Sequence, residues 1–369
     1  MADPLYSTIY SDLKNKILTN EYHLQEILPT EKELAAQYNV STITIKKAMQ
    51  LLKEDGLIIR KPKKGTSVIS QTVNPQPIAE EHINPSQVFF GLIITNFTDF
   101  FGSQILRTII HHPKADFLVR ISYGNSEKED EIISDMLSVG VSGIIILPSS
   151  SEYISPTLLE LASKDFPIVV IDRLMDKLPI CSVKTDSVAA AKELTTHLID
   201  SGHRRIGLIS SSSHVTTIDE RINGFISTHL DYDLRINQSQ ILTDITSVIP
   251  DSNTPVSQDI EKISSFFKEN PDLTAIVATE YNIALLTKNA AEQSGLSIPQ
   301  DISIACFDHP ELSIFDPGAT IFTHVEQNQT AIGENAVDLL LKKFQTPSFI
   351  EKQSLPYKII EGTTVRILH

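Results

Sequence analysis

Charged side chains recur in this sequence directly after short apolar runs. Asp172-Arg173 follows FPIVVI, Thr279-Glu280 follows TAIVA, and Asp308-His309 follows ISIACF. The run IGLIS leads through further serines to Asp219-Glu220-Arg221, and VFFGLII leads to Thr95-Asn96-Phe97-Thr98-Asp99-Phe100-Phe101. Carboxylates and a guanidinium beside aromatic rings suit a sugar-like ligand, with a ring stacked on its CH face and Asp and Arg taking its hydroxyls. A carboxylate pair such as Asp172 and Asp308 could also do acid–base work on a glycosidic bond. Any one of these residues read alone is as readily a cap or a surface ion pair. The argument for binding is that all of them fall where a strand would end. A second group lies nearer the N-terminus. Thr42, Ile43, Lys46, Lys47 and Gln50 share one face of a prospective helix, and Arg60, Lys61, Lys63 and Lys64 crowd the turn after it. Cations and hydroxyls so grouped suit phosphates and base edges.

The elements that must position this second group are legible from Leu28 to Val68. Thr30 can cap a helix, with Glu33 three residues on to reach back to it. Ser41 can cap the next, after a turn at Tyr38-Asn39-Val40. On that next helix Ile45, Ala48, Met49 and Leu52 recur at spacings of three and four, which predicts a buried face opposite the cationic one. Gly56 stops it, Leu57–Ile59 reads as a short strand, and the basic turn ends at Gly65. Upstream, residues 5–19 read as a helix with Ile9, Leu13 and Ile17 turned inward. The pattern over 1–69 is a helix-turn-helix with a wing, a unit that lays one helix in the major groove of double-stranded DNA.

Charge divides the chain the same way. Of the 369 residues, 31 are Lys or Arg and 46 Asp or Glu, a net charge of −15 that disfavours nucleic-acid binding by the chain as one body. Residues 1–70, however, carry 10 basic against 8 acidic side chains, and residues 41–70 carry 7 against 2. A basic recognition segment on an acidic body predicts a modular DNA binder. Cys181 and Cys306, far apart in apolar surroundings, read as reduced core residues of a cytoplasmic protein. No basic-then-apolar leader and no apolar run of membrane-spanning length is expected to compete with that placement.

Residues 70–87 hold three prolines and no apolar period, the composition of a linker. From Val88 on, apolar runs at 88–95, 117–121, 143–147, 167–171, 205–210, 274–278 and 302–307 alternate with helical patterns such as 126–140, 187–201, 283–295 and 329–344. That alternation predicts an α/β body with two parallel sheets buried on both faces, arranged as two lobes with a cleft between them. Ligands of such sheets sit beyond the carboxyl ends of the strands. Nucleophile elbow, phosphate-loop, dinucleotide and metalloprotease motifs are absent from the sequence, and adjacent His111-His112 have poor geometry for a metal. The expectation is a non-enzyme without cofactor or metal, with a sugar-binding protein or a sugar-acting enzyme of the same fold as the alternative.

Two resemblances sharpen this. Leu28–Ala35, Val40–Lys46 and Lys63–Thr66 resemble the start, recognition helix and wing of the GntR family of bacterial regulators. That resemblance implies DNA contacts by Lys32, Ser41, Thr42, Thr44, Lys46, Lys64 and Gly65. Three positions usually arginine in the family are Lys32, Thr42 and Lys46, and lysine does not make arginine's planar bidentate contact to guanine. The segments FPIVVIDR, HLIDSGHRRIGLIS, ERINGF, GLSIPQDISIACFDH and HVEQ are similar to the effector domain of the LacI/GalR family, itself built like periplasmic sugar-binding proteins. That similarity implies effector contacts by Phe101, Asp172, Arg173, Arg221, Thr279, Asp308 and Gln327. It also implies an N-lobe of about 88–184 and 325–346 and a C-lobe of about 185–324 and 347–369, with residues 88–369 serving effector binding and dimerisation. A GntR-type head on a LacI-type body is the arrangement of arabinose-responsive bacterial repressors. The implied protein is a cytoplasmic homodimeric repressor of sugar utilisation, with operator DNA and a monosaccharide, a pentose such as L-arabinose favoured, as partners.

Overall fold

The turn at Asn39 is where the head takes its shape. Asn39 adopts φ 52°, a left-handed conformation that asparagine tolerates, and it reverses the chain between helices α2 (Glu31–Gln37) and α3 (Thr42–Glu54). Thr30 and Glu33 form the expected reciprocal capping box on α2, and the Ser41 hydroxyl accepts the Thr44 N–H at the start of α3. Helix α1 (Leu5–Leu18) packs Ile9, Leu13 and Ile17 against Ile45, Ala48 and Leu52 of α3. Strands β1 (Ile58–Lys61) and β2 (Gly65–Val68) pair antiparallel, Ile58 opposite Val68. The Lys14 ammonium meets Asp55 at 2.6 Å, fastening α1 to the end of α3.

The computed structural model describes residues 5–24, 26–55, 57–61, 65–68, 88–96, 102–151, 153–175, 178–213, 215–310 and 321–368. It divides the chain into two units, Met1–Gln87 and Val88–His369. The expected linker at 70–87 lies outside the described residues, as do Lys64 at the wing and Phe101.

The second unit begins with β3 (Phe89–Ile94), α4 (Ser103–Ile110), β4 (Asp116–Ile121), α5 (Ser126–Val139), β5 (Ile144–Ile146), α6 (Pro156–Ser163), β6 (Ile168–Ile171) and β7 (Cys181–Thr185). It continues through α7 (Ser187–Asp200), β8 (Ile206–Ser211), α8 (Thr216–Asp231), β9 (Ile241–Ile245), α9 (Val256–Glu269), β10 (Ala275–Ala278), α10 (Tyr281–Gln293) and β11 (Ser303–Phe307). It closes with β12 (Thr323–Gln327), α11 (Gln329–Gln345), β13 (Lys352–Leu355) and β14 (Tyr357–Ile360). The strands form two six-stranded sheets, β13-β7-β6-β5-β3-β4 in the N-lobe and β14-β12-β11-β10-β8-β9 in the C-lobe. Every pairing is parallel except β12 with β14. The central strands β5, β6, β8, β10 and β11 are buried at every position. Continuous Ile and Val runs therefore work where helices cover both faces.

Two boundaries differ from expectation. Residues 325–327 belong to β12 in the C-lobe sheet, and β13 at 352–355 pairs with β7 in the N-lobe sheet, not with the C-lobe. Helix α11 does join the N-lobe, where Ile332, Ala336 and Leu340 enter its core. The chain thus crosses between lobes after β7, after β12 and between β13 and β14. The half-exposed pattern of β13 (KQSL) says that it is an edge strand and cannot say of which sheet.

Gly224 sets the seat of α8. A Cβ there would stand 2.5 Å from the Val188 carbonyl oxygen and 2.7 Å from the Ala191 Cβ, so only glycine lets α8 approach α7 this closely.

Candidate functional site

The carboxyl ends of both sheets open onto one cavity of about 140 Å³ between the lobes of the second unit. The N-lobe contributes Thr95 and Asn96 after β3, Ile105 and Leu106 of α4, and Asp172-Arg173 after β6. Facing them from the C-lobe are Ser211 and Ser213, Thr217, Ile218 and Arg221 of α8, Val248–Pro250 after β9, Glu280–Asn282, and Asp308 after β11. The wall mixes aliphatic carbon with convergent hydrogen-bonding groups, which is the composition of a small-molecule site.

Arg221 is the electrostatic centre. It is 4% exposed. One terminal nitrogen donates to the Thr279 carbonyl at 2.6 Å, the other lies 3.9 Å from the Asp308 carboxylate, and the guanidinium sits 4.1 Å from the centroid of the Phe307 ring. Asp172 and Asp308 hold left-handed backbone conformations, φ 65° and 62°, at the ends of β6 and β11. Non-glycine residues bear such strain chiefly where surrounding structure dictates it, often at binding sites. Burial pushes both carboxyls up, Asp308 to about 6, while the Arg221 charge opposes that rise in each. The Gln327 side-chain amide donates to both Asp308 oxygens at 3.0 Å. Asp172 accepts a long 3.5 Å bond from Thr217 across the cleft, and its other oxygen is buried with no partner among the described residues. A buried acceptor left in that state favours a ligand that brings a hydroxyl.

In the head, the exposed face of α3 carries Thr42, Ile43, Lys46, Lys47 and Gln50, with Ile43 76% exposed. Lys46 stands 4.0 Å from Glu31 at the start of α2, so exposed Lys32 shares its surface. Lys47 lies over the Tyr6 ring at 4.3 Å, a cation–π contact that draws it toward α1. The Ser41 and Thr44 hydroxyls are 2.9 Å apart and serve the cap.

Comparison with known proteins agrees with both units. Residues 5–68 match the bacterial regulatory proteins of the gntR family, and residues 195–365 match the periplasmic binding protein-like domain. The chain joins a gntR-type reading head to a periplasmic-binding-protein-like body. It is 25% identical over 373 residues to an arabinose metabolism transcriptional repressor of Geobacillus stearothermophilus, covering 99% of this chain and 98% of that one. The solved transcription regulator CcpA of Lactococcus lactis shares the fold at a TM-score of 0.64 and 22% identity, over 76% of this chain and all (100%) of that one. A LacI family transcriptional regulator from Enterococcus faecium, solved with bound ribose, does so at 0.63 and 22%, with the same 76% and 100% coverage.

In this gntR-headed, periplasmic-binding-protein-like chain, four of the effector residues named from sequence, Asp172, Arg173, Arg221 and Asp308, line the cavity together. The structure places the other two described ones behind its wall. Thr279 is fully buried, its carbonyl holding Arg221 and its hydroxyl donating to Ser210, and Gln327 braces Asp308. Asn96 stands at one of the strand exits read from sequence, whereas Thr217, Tyr281 and Asn282 are wall residues that sequence reasoning did not single out. Thr217 carried a usable signal, since it precedes Arg221 by four and shares its helix face. Of the DNA-contact residues, Lys32, Ser41, Thr42 and Lys46 are exposed and Thr44 partly so, while Gly65 opens β2 opposite Lys61. Both cysteines are buried and unpaired, one in each sheet. Among the described residues no three His, Cys, Asp or Glu side chains cluster to hold a metal, and no helix is long and apolar enough to cross a membrane.

Proposed function

We propose that this chain is a ligand-responsive DNA-binding transcriptional regulator, a repressor of sugar utilisation whose operator affinity changes when a monosaccharide binds between the lobes of its body. The observation that carries the reading is Arg221, buried beside Asp308 and in the field of Asp172, on a cavity lined by both lobes. A volume of about 140 Å³ corresponds to roughly five waters at their liquid share, room for one sugar ring. L-arabinose is the favoured ligand, and the pentoses in the names of the arabinose repressor and the ribose-bound structure support that choice. Lys32, Ser41, Thr42, Thr44, Lys46, Lys64 and Gly65 contact the operator. Asp172, Arg173, Arg221 and Asp308 contact the sugar, and Thr279 and Gln327 orient those contacts; Phe101 is assigned to the sugar by the family resemblance alone. The protein works in the cytoplasm as a homodimer, because two recognition helices one DNA turn apart read a two-fold operator. The ligand acts by favouring one of two lobe arrangements, with a coupling free energy between sites. It is bound and not turned over, in keeping with the transcriptional regulators that the chain resembles.

A thermal-shift screen of monosaccharides tests the reading. A hundredfold excess of the true ligand over Kd should raise the midpoint by roughly 5 °C, and the same sugar should alter the shift of the chain's own upstream DNA in a gel. If no monosaccharide does either, the proposal fails.

The raised Asp308 carboxyl adds a pH signature. An acid whose folded pKa exceeds its unfolded value stabilises the fold fully below that unfolded value, about 4, and the contribution is lost as pH rises through about 6. The ligand-free site therefore opposes folding at neutral pH, and a sugar donating hydroxyls to the ionised carboxylate relieves it. Sugar affinity should be flat above pH 6 and fall by up to about tenfold per unit below it. Titration calorimetry between about pH 5 and pH 8 reads this directly. Asp308→Asn should bind more weakly with no such slope, and a native protein equally tight across the range would exclude the role.

A further inference from the structure

Helix α8 carries Thr217, Ile218 and Arg221 to the cavity, yet it lacks a side-chain cap of its own. Its N-cap residue is Val215, which has no acceptor to offer. The cap comes instead from the other lobe. The Ser151 hydroxyl, on the loop after β5, accepts the Thr216 N–H at 3.0 Å and donates to the Thr216 hydroxyl at 3.3 Å. The Thr216 hydroxyl in turn accepts the Leu174 N–H, two residues beyond Asp172, at 3.0 Å.

The loop that offers Ser151 is itself held in place. Buried Glu129 accepts both the Ser149 N–H and the Ser149 hydroxyl at 2.6 Å, and Arg173 donates to the Pro148 carbonyl. A hydroxyl presented by a braced loop can select a helix position in a way that a mobile one cannot.

From this geometry we infer that Ser151 is a positioning residue for the effector site, one that caps α8 across the cleft and so makes the order of its first turn depend on closure. The inference rests on the effector site proposed above. When the lobes part, Thr216 loses its acceptor and the turn that presents Thr217 loses its anchor. When a ligand draws the lobes together, the cap forms with it, so closure and site assembly reinforce each other. Loss of a hydroxyl cap shifts the equilibrium it controls by roughly fivefold.

Amide hydrogen exchange on the full chain saturated with L-arabinose tests the cap directly. In Ser151→Ala the Thr216 amide should exchange about fivefold faster, while amides in the middle of α8 keep their native rates. Ser151→Thr, which retains the hydroxyl, should behave as native. With L-arabinose as probe, Ser151→Ala should bind about fivefold more weakly, with an unchanged melting midpoint for the ligand-free protein. Native exchange at Thr216 in Ser151→Ala, or equal loss in Ser151→Ala and Ser151→Thr, overturns the inference. A lowered midpoint with unaltered sugar affinity would also overturn it, by reducing Ser151 to a structural role. The site reading fails separately, if Arg221→Ala binds L-arabinose as the native protein does.

Discussion

A protein carrying Lys32→Ala and Lys46→Ala should bind its operator about a thousandfold more weakly at physiological salt, with a flatter salt dependence. Both lysines are exposed, and the approach of Lys46 to Glu31 puts them on one surface at the start of α2 and α3. In a homodimer the two substitutions remove four cations. Every phosphate left without its lysine should reduce the slope of log K against log salt by about 0.9, so the total change is roughly 3.6. A monomer on DNA would show half of that, which makes the slope a measure of stoichiometry as well as of phosphate binding. Fluorescence anisotropy on the native operator across a salt series gives both numbers. The folded head should tolerate the change, because its stability lies in the Leu13, Ile17, Leu34, Ile45 and Leu52 core and in the Thr30 and Ser41 caps. An unchanged slope would place the phosphate-binding cations elsewhere.

Arg221→Ala should abolish the sugar response while leaving operator binding within about twofold of native, since Arg221 belongs to the second unit and the DNA-contact residues to the first. Removing one partner from a buried charged cluster costs roughly 3–5 kcal/mol, which, expressed in binding, is a loss of sugar affinity of about 10² to 4 × 10³-fold. The reason is visible in its bonds. Without the guanidinium, the Thr279 carbonyl and the Phe307 face have no cation against them, and Asp172 and Asp308 lose the charge that opposes their protonation. Both carboxyls then rise further, so the variant's melting midpoint should fall most at high pH. Arg221→Lys keeps the charge but lacks the planar fork that joins Thr279 to Asp308, and it should recover only part of the affinity. Calorimetry with L-arabinose, paired with gel shifts with and without the sugar, separates these effects. An Arg221→Ala protein whose DNA binding still responds at native sugar concentrations would refute the site.

Much of the architecture is legible in the residues alone. The caps at Thr30 and Ser41, the inward faces of α1 and α3 and seven strands of the body follow from patterns a few residues long. Capping and periodic burial are local, so a local reading recovers them. The more polar strands β7, β9, β12, β13 and β14 escape it, because they carry no unbroken apolar run of strand length.

The candidate site divides along the same line. Sequence alone determined which residues stand at strand exits: Asp172, Arg173 and Asp308 were legible because parallel strands are apolar runs that end abruptly at such groups. It also determined the split between a basic head and an acidic body. Only the tertiary structure decided that Thr279 and Gln327 support the wall, that Thr217 belongs to it, and that α8 takes its cap from Ser151 in the other lobe. Each of those facts joins segments tens of residues apart. Such pairings are set by how two lobes pack, which no short stretch of either lobe encodes.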